Sequence, residues 1–175
     1  MGNDKVLTIN EIFAKYGSDK AEHNYGPIYQ YWIKHLPTPK KILEIGVLKG
    51  ASILAWKEIF PNAEIHGLDL FEENPIPDIE GVKFWKGSQT DQEILHLLRK
   101  ENYNWIIDDG SHNTRDVMVS FFSLAKEGCH YFIEDVLCET EEFYNTGLPA
   151  YYRPIVVFGR DIPDHLTGRI IHIAC

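Results

Sequence analysis

The sequence has few cysteines, no long hydrophobic run and no excess of positive charge, and each absence argues against a class of protein. Its three cysteines, Cys129, Cys138 and Cys175, do not have the spacing of a zinc finger, so we expect reduced thiols in a cytosolic protein. No apolar run suits a signal peptide or a membrane span, so we expect no membrane partner. Lysine and arginine number 17 against 26 aspartate and glutamate residues, and this acidic balance disfavours a nucleic-acid partner.

The order of short hydrophobic segments predicts that the whole chain forms one α/β domain. Runs of β-branched residues alternate with helical patterns over 41–134, which is typical of a Rossmann-like, mostly parallel sheet with helices on both faces. The runs 155–158 and 169–173 have no clear helix between them, so we expect an antiparallel pair at one side of the sheet. Residues 1–37 are predicted to form a helical cap segment on a core of residues 38–175.

Two segments have the spacing of a helix capping box. They are Thr8-Ile9-Asn10-Glu11 and Thr90-Asp91-Gln92-Glu93. In such a box a threonine side chain and a glutamate three residues later satisfy each other's backbone N–H groups. Each spacing therefore predicts the start of a helix, at Thr8 and at Thr90.

Polar or acidic residues follow five consecutive predicted strands. They are Glu44-Ile45-Gly46, Asp69, Gly87-Ser88-Gln89, Asp108-Asp109-Gly110-Ser111-His112 and Glu134-Asp135. In open α/β sheets, ligands bind at the carboxyl ends of the strands. Surface loops are polar too, but they have no reason to concentrate carboxylates on one edge. We therefore predict one shared ligand site at this edge.

The first two strand ends suggest a nucleoside-containing cofactor. The turn after Gly46 lets the backbone pass close to a ligand, and the carboxylate of Asp69 can accept hydrogen bonds from both hydroxyls of an adenosine ribose. A bare turn glycine and a surface acid would look the same. A nicotinamide dinucleotide expects Gly-x-Gly-x-x-Gly, but Val47 and Leu48 follow Gly46 here, so a cofactor without a pyrophosphate fits better.

The last two strand ends offer ligands for a metal ion. Asp109, Glu134 and Asp135 carry hard oxygen atoms of the kind that magnesium prefers. His112 lies three residues after Asp109 and could act as a general base beside the ion. Alternatively, Asp109 caps the following helix and His112 is only solvated. The residue types leave both interpretations open.

Taken together, these residues resemble the class I methyltransferases that modify sugars, and in particular the metal-dependent macrolide-sugar O-methyltransferases of the mycinamicin type. The resemblance covers about residues 12–136. It is carried by Tyr16-Gly17-Ser18-Asp19-Lys20 with His23 and Tyr25, Leu43-Glu44-Ile45-Gly46-Val47 with Gly50 and Ser52, Trp56, Phe60-Pro61-Asn62-Ala63, Gly67-Leu68-Asp69, Ile106-Ile107-Asp108-Asp109-Gly110-Ser111-His112 and Tyr131-Phe132-Ile133-Glu134-Asp135.

The resemblance implies a role for each candidate residue. It implies S-adenosylmethionine as cofactor, with Mg²⁺ or Mn²⁺, and a sugar-containing acceptor. The implied cofactor-binding residues are Lys20, His23, Tyr25, Glu44, Gly46, Asp69, Ser88, Gln89 and Asp108. The implied metal ligands are Asp109, Glu134 and Asp135, with His112 as catalytic base beside Asp109. A catechol-type O-methyltransferase and a non-catalytic cofactor-binding domain are the alternatives, and assembly as a homo-oligomer stays open.

Overall fold

A single twisted sheet organises the chain in the computed structural model, which describes residues 6–135, 154–157 and 170–175. Its strands are β1 (Lys41–Ile45), β2 (Glu64–Asp69), β3 (Val82–Lys86), β4 (Trp105–Asp108), β5 (His130–Ile133), β6 (Pro154–Val157) and β7 (Ile170–Ala174). The α-helices are α1 (Ile9–Tyr16), α2 (Gly26–His35), α3 (Ala51–Ile59), α4 (Gln92–Leu98) and α5 (Thr114–Leu124). Short 3₁₀ helices cover Asp19–Ala21 and Arg99–Glu101. Within the described ranges, no helix is long and apolar enough to cross a membrane.

The strand order is β3-β2-β1-β4-β5-β7-β6. The first five strands of this order pair in parallel, whereas β7 is antiparallel to both β5 and β6. The predicted fold class, including the antiparallel pair at one side, is thereby confirmed. The order reverses at β1 and β4, so the loops after these neighbouring strands open a crevice at the carboxyl edge. Cys138 and parts of the two predicted tail strands lie outside the described residues.

The predicted start of α1 is correct, and the predicted start of α4 is wrong by one residue. The Thr8 side chain accepts a hydrogen bond from Glu11 N, and the Glu11 carboxylate accepts from Thr8 N, which confirms that capping box. At α4 the cap is Asp91 and not Thr90, because the Asp91 carboxylate accepts from two N–H groups of the first turn. Aspartate and threonine both favour the N-cap position, and here Asp91 occupies it instead of Thr90.

Hydrophobic side chains pack on both faces of the sheet. One core lies beneath α1, α2 and α3 and includes Phe13, Tyr29, Trp56 and Phe132. The other lies beneath α4 and α5 and includes Leu98, Phe121 and Tyr131. Because side chains alternate between the faces of a strand, neighbouring residues of β4 and β5 point into different cores. This alternation decides which acidic side chains can meet at the site.

The segment before the sheet is packed against it. Phe13 of α1 and Trp56 of α3 meet edge to face with ring centroids 5.0 Å apart. Trp56 also meets Tyr29 of α2, with centroids 4.8 Å apart. Between α1 and α2 the chain turns through Gly17, which has φ 72°, and enters the short helix Asp19–Ala21. The turn brings this polar stretch to the carboxyl edge of the sheet.

Candidate active site

A cavity of about 820 Å³ opens at the carboxyl edge of the strands. Its size is in the range expected for a small-molecule site. It is lined by the loops after β1, β2, β3 and β4, by Asp135 after β5 and by residues 16–19 of the N-terminal segment. Its polar and charged lining residues include Asp19, Lys49, Asp69, Ser88, Gln89, Asp109, Ser111, His112, Asp116 and Asp135. Five carboxylates against one lysine make the described part of the wall strongly acidic.

The loop after β1 forms one end of the cavity. Gly46 has φ 85°, a left-handed conformation that favours glycine, and the loop reaches α3 through Gly50, which has φ 84°. The Asp69 carboxylate accepts hydrogen bonds from Val47 N at 2.7 Å and from Leu48 N at 2.8 Å. Asp69 therefore fixes this loop as well as facing the cavity, a role that we did not predict from the sequence. A carboxylate oxygen has more than one acceptor site, so these bonds leave capacity for ligand hydroxyls.

Ser88 and Gln89 line the cavity after β3. Gln89 Oε1 accepts from Ser111 N at 2.7 Å, and Gln89 Nε2 donates to Asp108 Oδ1 at 3.1 Å. Gln89 thus joins the loops after β3 and β4. Both the oxygen and the nitrogen of its amide therefore already have protein partners.

Asp108 lies behind the wall and does not line the cavity. Its carboxylate accepts from Tyr131 OH at 2.6 Å and from Ser120 Oγ at 2.7 Å, and only 1% of the residue is exposed. Burial raises the pKa of Asp108, although these two hydroxyl donors oppose the shift. Alternation along β4 points Asp108 towards α5, which places it away from the position that the resemblance implied.

Asp109, His112 and Asp135 converge on one side of the cavity. Each offers a ligand atom, and these atoms lie within 4.8 Å of one another. His112 Nδ1 is buried and has no hydrogen-bond partner among the described residues. The start of α5 is capped by Asn113, whose side chain accepts from Arg115 N and Asp116 N. Asp109 is therefore not the cap of this helix, and the alternative that assigned it that role is wrong.

Glu134 lies beside this group but is fully buried. Its carboxylate contacts the ammonium of Lys20 and accepts from the hydroxyl of Tyr29. Lys20 also lies 2.6 Å from Asp109 Oδ2 and 3.3 Å from Glu44 Oε1. Glu134 and Glu44 point to the face beneath α1–α3, which is why the N-terminal segment reaches them. Neither glutamate lines the cavity.

The pKa values in this buried cluster reflect burial and mutual charge. Burial alone would lower the pKa of Lys20, but the charges of Asp109, Glu134 and Glu44 outweigh it and hold that pKa well above its usual value. Burial raises the pKa of Glu134, an effect that the Lys20 ammonium opposes and the charge of Asp109 reinforces. Burial raises the pKa of Glu44 as well. Lys20 therefore stays protonated and positively charged.

Tyr25 supports the acidic wall from the N-terminal side. Its hydroxyl donates to Asp135 Oδ1 and accepts from Asp135 N at 3.3 Å. Asp135 has φ 48°, and these two contacts hold the residue in this left-handed conformation. Burial, followed by the charge of Glu134, raises the pKa of Tyr25, so its hydroxyl stays a donor. His23 stacks on Tyr25 with ring centroids 5.5 Å apart.

The structure divides the predicted residues into two groups. Those at the cavity are Gly46, Asp69, Ser88, Gln89, Asp109, His112 and Asp135. Those behind its wall are Lys20, His23, Tyr25, Glu44, Asp108 and Glu134. Lys20, Tyr25 and Asp108 contact residues of the first group directly. None of the six lines the cavity, so direct cofactor contact by them remains a prediction without geometric support. The sequence did not predict that the hydroxyls of Tyr29, Ser120 and Tyr131 hold two of the buried carboxylates, those of Glu134 and Asp108.

The donor set fits a divalent cation. The carboxylates of Asp109 and Asp135 are ligands that Mg²⁺ or Mn²⁺ prefers, and the acidic lining attracts a cation. His112 adds an imidazole nitrogen without a partner beside them. The cavity also fits a cofactor without a pyrophosphate, since Lys49 is the single lysine or arginine in its described lining. A second group of possible ligands, Glu64, His66 and Glu101, lies away from this edge. Its carboxylates are paired with Lys41 and Lys83.

The sequence comparisons identify relatives that carry out one type of chemistry. No family model matches the chain. The chain is 29% identical over 143 residues to the 8-demethyl-8-(2-methoxy-alpha-L-rhamnosyl)-tetracenomycin-C 3'-O-methyltransferase of Streptomyces olivaceus. It is also 29% identical over 143 residues to the mycinamicin VI 2''-O-methyltransferase of Micromonospora griseorubida. Each alignment covers 73% of this chain and 36% of the relative, so the chain spans about a third of the length of the curated relatives it matches.

The structural comparison identifies the fold. The chain matches the MycE methyltransferase of the mycinamycin biosynthetic pathway, in complex with Mg and SAH, with a TM-score of 0.69 at 21% identity. That match covers 97% of this chain and 54% of the other. A MycE complex with Mg, SAH and mycinamycin VI matches with a TM-score of 0.64. The chain has the class I methyltransferase fold and is similar in sequence to these sugar O-methyltransferases. The resemblance inferred from the sequence is thereby confirmed.

Proposed function

We propose that this chain carries the catalytic domain of an S-adenosylmethionine-dependent O-methyltransferase that acts on a sugar hydroxyl. The observation that carries the proposal is a single cavity that joins Asp69, at the end of β2, to the group of Asp109, His112 and Asp135. The first is a site for ribose hydroxyls, and the second is a site for a cation and a base. The relatives' names, which specify sugar hydroxyls on glycosylated natural products, support the acceptor class.

The chain's own residues have distinct roles in this reaction. Asp69 holds the ribose and fixes the loop at Gly46, so that the cofactor lies along the carboxyl edge. When bound, S-adenosylmethionine supplies an electrophilic methyl group, and Mg²⁺ or Mn²⁺ at Asp109 and Asp135 supplies a Lewis acid for the acceptor hydroxyl. His112 accepts the hydroxyl proton. Binding of the acceptor and the methyl donor in one cavity aligns the reacting atoms, which supplies much of the remaining rate.

The acceptor class distinguishes this proposal from a catechol-type enzyme. We would measure methyl transfer to a panel of deoxysugar glycosides, nucleotide sugars and catechols, with purified chain, S-adenosylmethionine and Mg²⁺. The proposal expects transfer to at least one sugar hydroxyl, loss of that activity in EDTA and its recovery with Mg²⁺ or Mn²⁺. Transfer to catechols alone would contradict the sugar assignment. Full activity after exhaustive chelation would contradict the metal assignment.

A ligand-binding measurement separates an enzyme from a binding domain. S-adenosylhomocysteine should raise the melting temperature and NAD should not, because a ligand stabilises only the state that binds it. A shift with S-adenosylhomocysteine but no transfer to any acceptor would favour the non-catalytic interpretation. We also place the protein in the cytosol, since Cys129 is buried as a free thiol and Cys175 is free as well.

A further inference from the structure

Lys20 places an ammonium group among buried carboxylates. The residue is only 1% exposed, and its Nζ contacts Asp109 Oδ2 at 2.6 Å, Glu44 Oε1 at 3.3 Å and the carboxylate of Glu134. These three acids come from three neighbouring strands, β1, β4 and β5. In the part of the chain that the structure describes, no other lysine or arginine forms an ion pair with them.

This arrangement has an electrostatic reason. Carboxylates that converge in a buried place repel one another, and removing a charge from water is costly unless it has a partner. The three strands are parallel neighbours, so the sheet itself brings their ends together and cannot separate the charges. The N-terminal segment offsets this repulsion by placing the Lys20 ammonium between the three carboxylates. Tyr29 adds a hydroxyl donor to Glu134 from the same segment.

We infer that Lys20 is a positioning residue, a built-in cation that preforms the acidic wall before any metal ion binds. The inference deepens the proposed function and rests on it for the nature of the bound ion. Lys20 holds one oxygen of Asp109 and ties it to Glu134, while Asp109, His112 and Asp135 keep ligand atoms close together at the cavity. A divalent ion then meets carboxylates that are already partly neutralised. The Lys20 ammonium and the candidate metal site are therefore coupled through Asp109, which belongs to both.

The direct test compares thermal stability with and without metal. Lys20→Met removes the charge at similar length, and Lys15→Met is the matched control, because Lys15 lies in the same segment and pairs with Glu58 at the surface. In EDTA we expect Lys20→Met to melt at least about 5 °C below the wild type, since it leaves buried carboxylates without their cation. Mg²⁺ should raise the melting temperature of Lys20→Met by more than it raises that of the wild type. Lys15→Met should show the wild-type Mg²⁺ shift.

A second variant keeps the test decisive if Lys20→Met fails to fold. The double variant Lys20→Met/Glu134→Gln removes one positive and one negative charge together. If Lys20 acts by neutralising the wall, Glu134→Gln should restore folding or recover most of the lost melting temperature, because the two sites interact. If Lys20 merely packs, the double variant should be at least as unstable as Lys20→Met. That result, or equal Mg²⁺ shifts in Lys20→Met and the wild type, would overturn the inference.

These measurements are independent of methyl transfer. A wild-type protein that transfers no methyl group would remove the proposed function, yet the stability of Lys20→Met in EDTA would still report the role of Lys20. Conversely, an active wild type in which Lys20→Met melts normally would keep the function and remove the positioning role. Binding of Mn²⁺, followed by electron paramagnetic resonance, adds a readout without substrate. We expect Lys20→Met to bind Mn²⁺ more tightly than the wild type, as the larger Mg²⁺ shift requires, and an unchanged or weaker affinity counts against the inference.

Discussion

A Cβ atom on Gly46 would lie 1.9 Å from the carbonyl oxygen of Asp109. The loops after β1 and β4 therefore touch through their backbones, and Asp109 N donates to Ile45 O at 2.9 Å in the same place. This contact joins the end of the cavity at Asp69 to the side at Asp109 and Asp135. It also explains why the position needs glycine for two reasons, close approach and a φ of 85°.

Gly46→Ala should therefore lower the free energy of unfolding by more than the strain of a left-handed alanine alone would. We expect a loss of at least ~3 kcal/mol in the free energy of unfolding, because the new methyl group must displace the backbone of Asp109. Gly128→Ala is the matched control, since Gly128 has φ 81° but no atom within 4 Å of an added Cβ. It should lose only about 1–2 kcal/mol. Equal losses in urea unfolding would mean that the β1 and β4 loops do not touch as described.

Asp69→Ala should weaken cofactor binding through two effects. The variant loses the proposed acceptor for ribose hydroxyls and frees the N–H groups of Val47 and Leu48. Loss of charge-assisted bonds costs on the order of 2–3 kcal/mol, so we expect a roughly 30- to 150-fold lower affinity for S-adenosylhomocysteine by calorimetry. Asp78→Ala makes the same change of charge at an exposed position outside the cavity lining. Wild-type affinity in Asp69→Ala would remove Asp69 from the cofactor site.

The fold was largely predictable because its signals are local. Hydrophobic strand segments alternate with helices, and Thr8 with Glu11 caps α1 as the spacing indicates. Strand-end positions also place Asp69 and Asp109 correctly at one edge. The helix start at Asp91 differs by one residue because two adjacent side chains could both cap, and only the backbone path decides between them.

The contacts of the buried residues Asp108 and Lys20 could not be predicted from the sequence in the same way. Asp108 and Asp109 are adjacent, yet alternation sends Asp108 to the side of α5 and leaves Asp109 at the cavity. The partners of Asp108 come from α5 and β5, as Ser120 and Tyr131, at long sequence separation. No spacing within one element predicts such a pairing. The role of Lys20 likewise depends on where a turn 89 residues from Asp109 meets the sheet.

His172 should make the fold sensitive to acid. It is 1% exposed, its ring centroid lies 4.2 Å from that of Trp32, and burial, followed by the charge of His130, lowers its pKa to about 3. Between pH 6.5 and pH 3 the unfolded state binds a proton that the folded state refuses, so stability falls as the pH is lowered through this window. The contribution is at most about 1.4 kcal/mol per pH unit.

A pair of histidine variants tests this acid sensitivity. His172→Gln should flatten the dependence of the unfolding free energy on pH between 6.5 and 3, and His96→Gln, at an exposed position of α4, should not. Urea unfolding at several pH values measures both slopes. If the two variants have the same slope as the wild type, another buried group, such as His66 or His130, dominates the acid response; the pKa of each is lowered chiefly by burial.

His112 can act at the cavity either as a base or as a metal ligand, and the variant His112→Gly distinguishes these two roles. His112 has φ 55°, so His112→Gly removes the imidazole without straining the backbone. If His112 is the base, turnover should fall by roughly 10²–10⁴ while binding of Mn²⁺ and S-adenosylhomocysteine stays near the wild-type level. Added imidazole should restore part of the turnover, because it can enter the space and accept the proton.

The same variant has a different result if His112 is a ligand. Its nitrogen lies within 4.8 Å of carboxylate oxygens of Asp109 and Asp135, so coordination needs only a small movement. In that case His112→Gly should lower the affinity for Mn²⁺ by tenfold or more, and high Mn²⁺ should restore turnover where imidazole alone does not. His96→Gly controls for the loss of a surface histidine. Normal turnover in His112→Gly would exclude both duties, and the acceptor proton would then have to leave to a carboxylate of the acidic wall or to water.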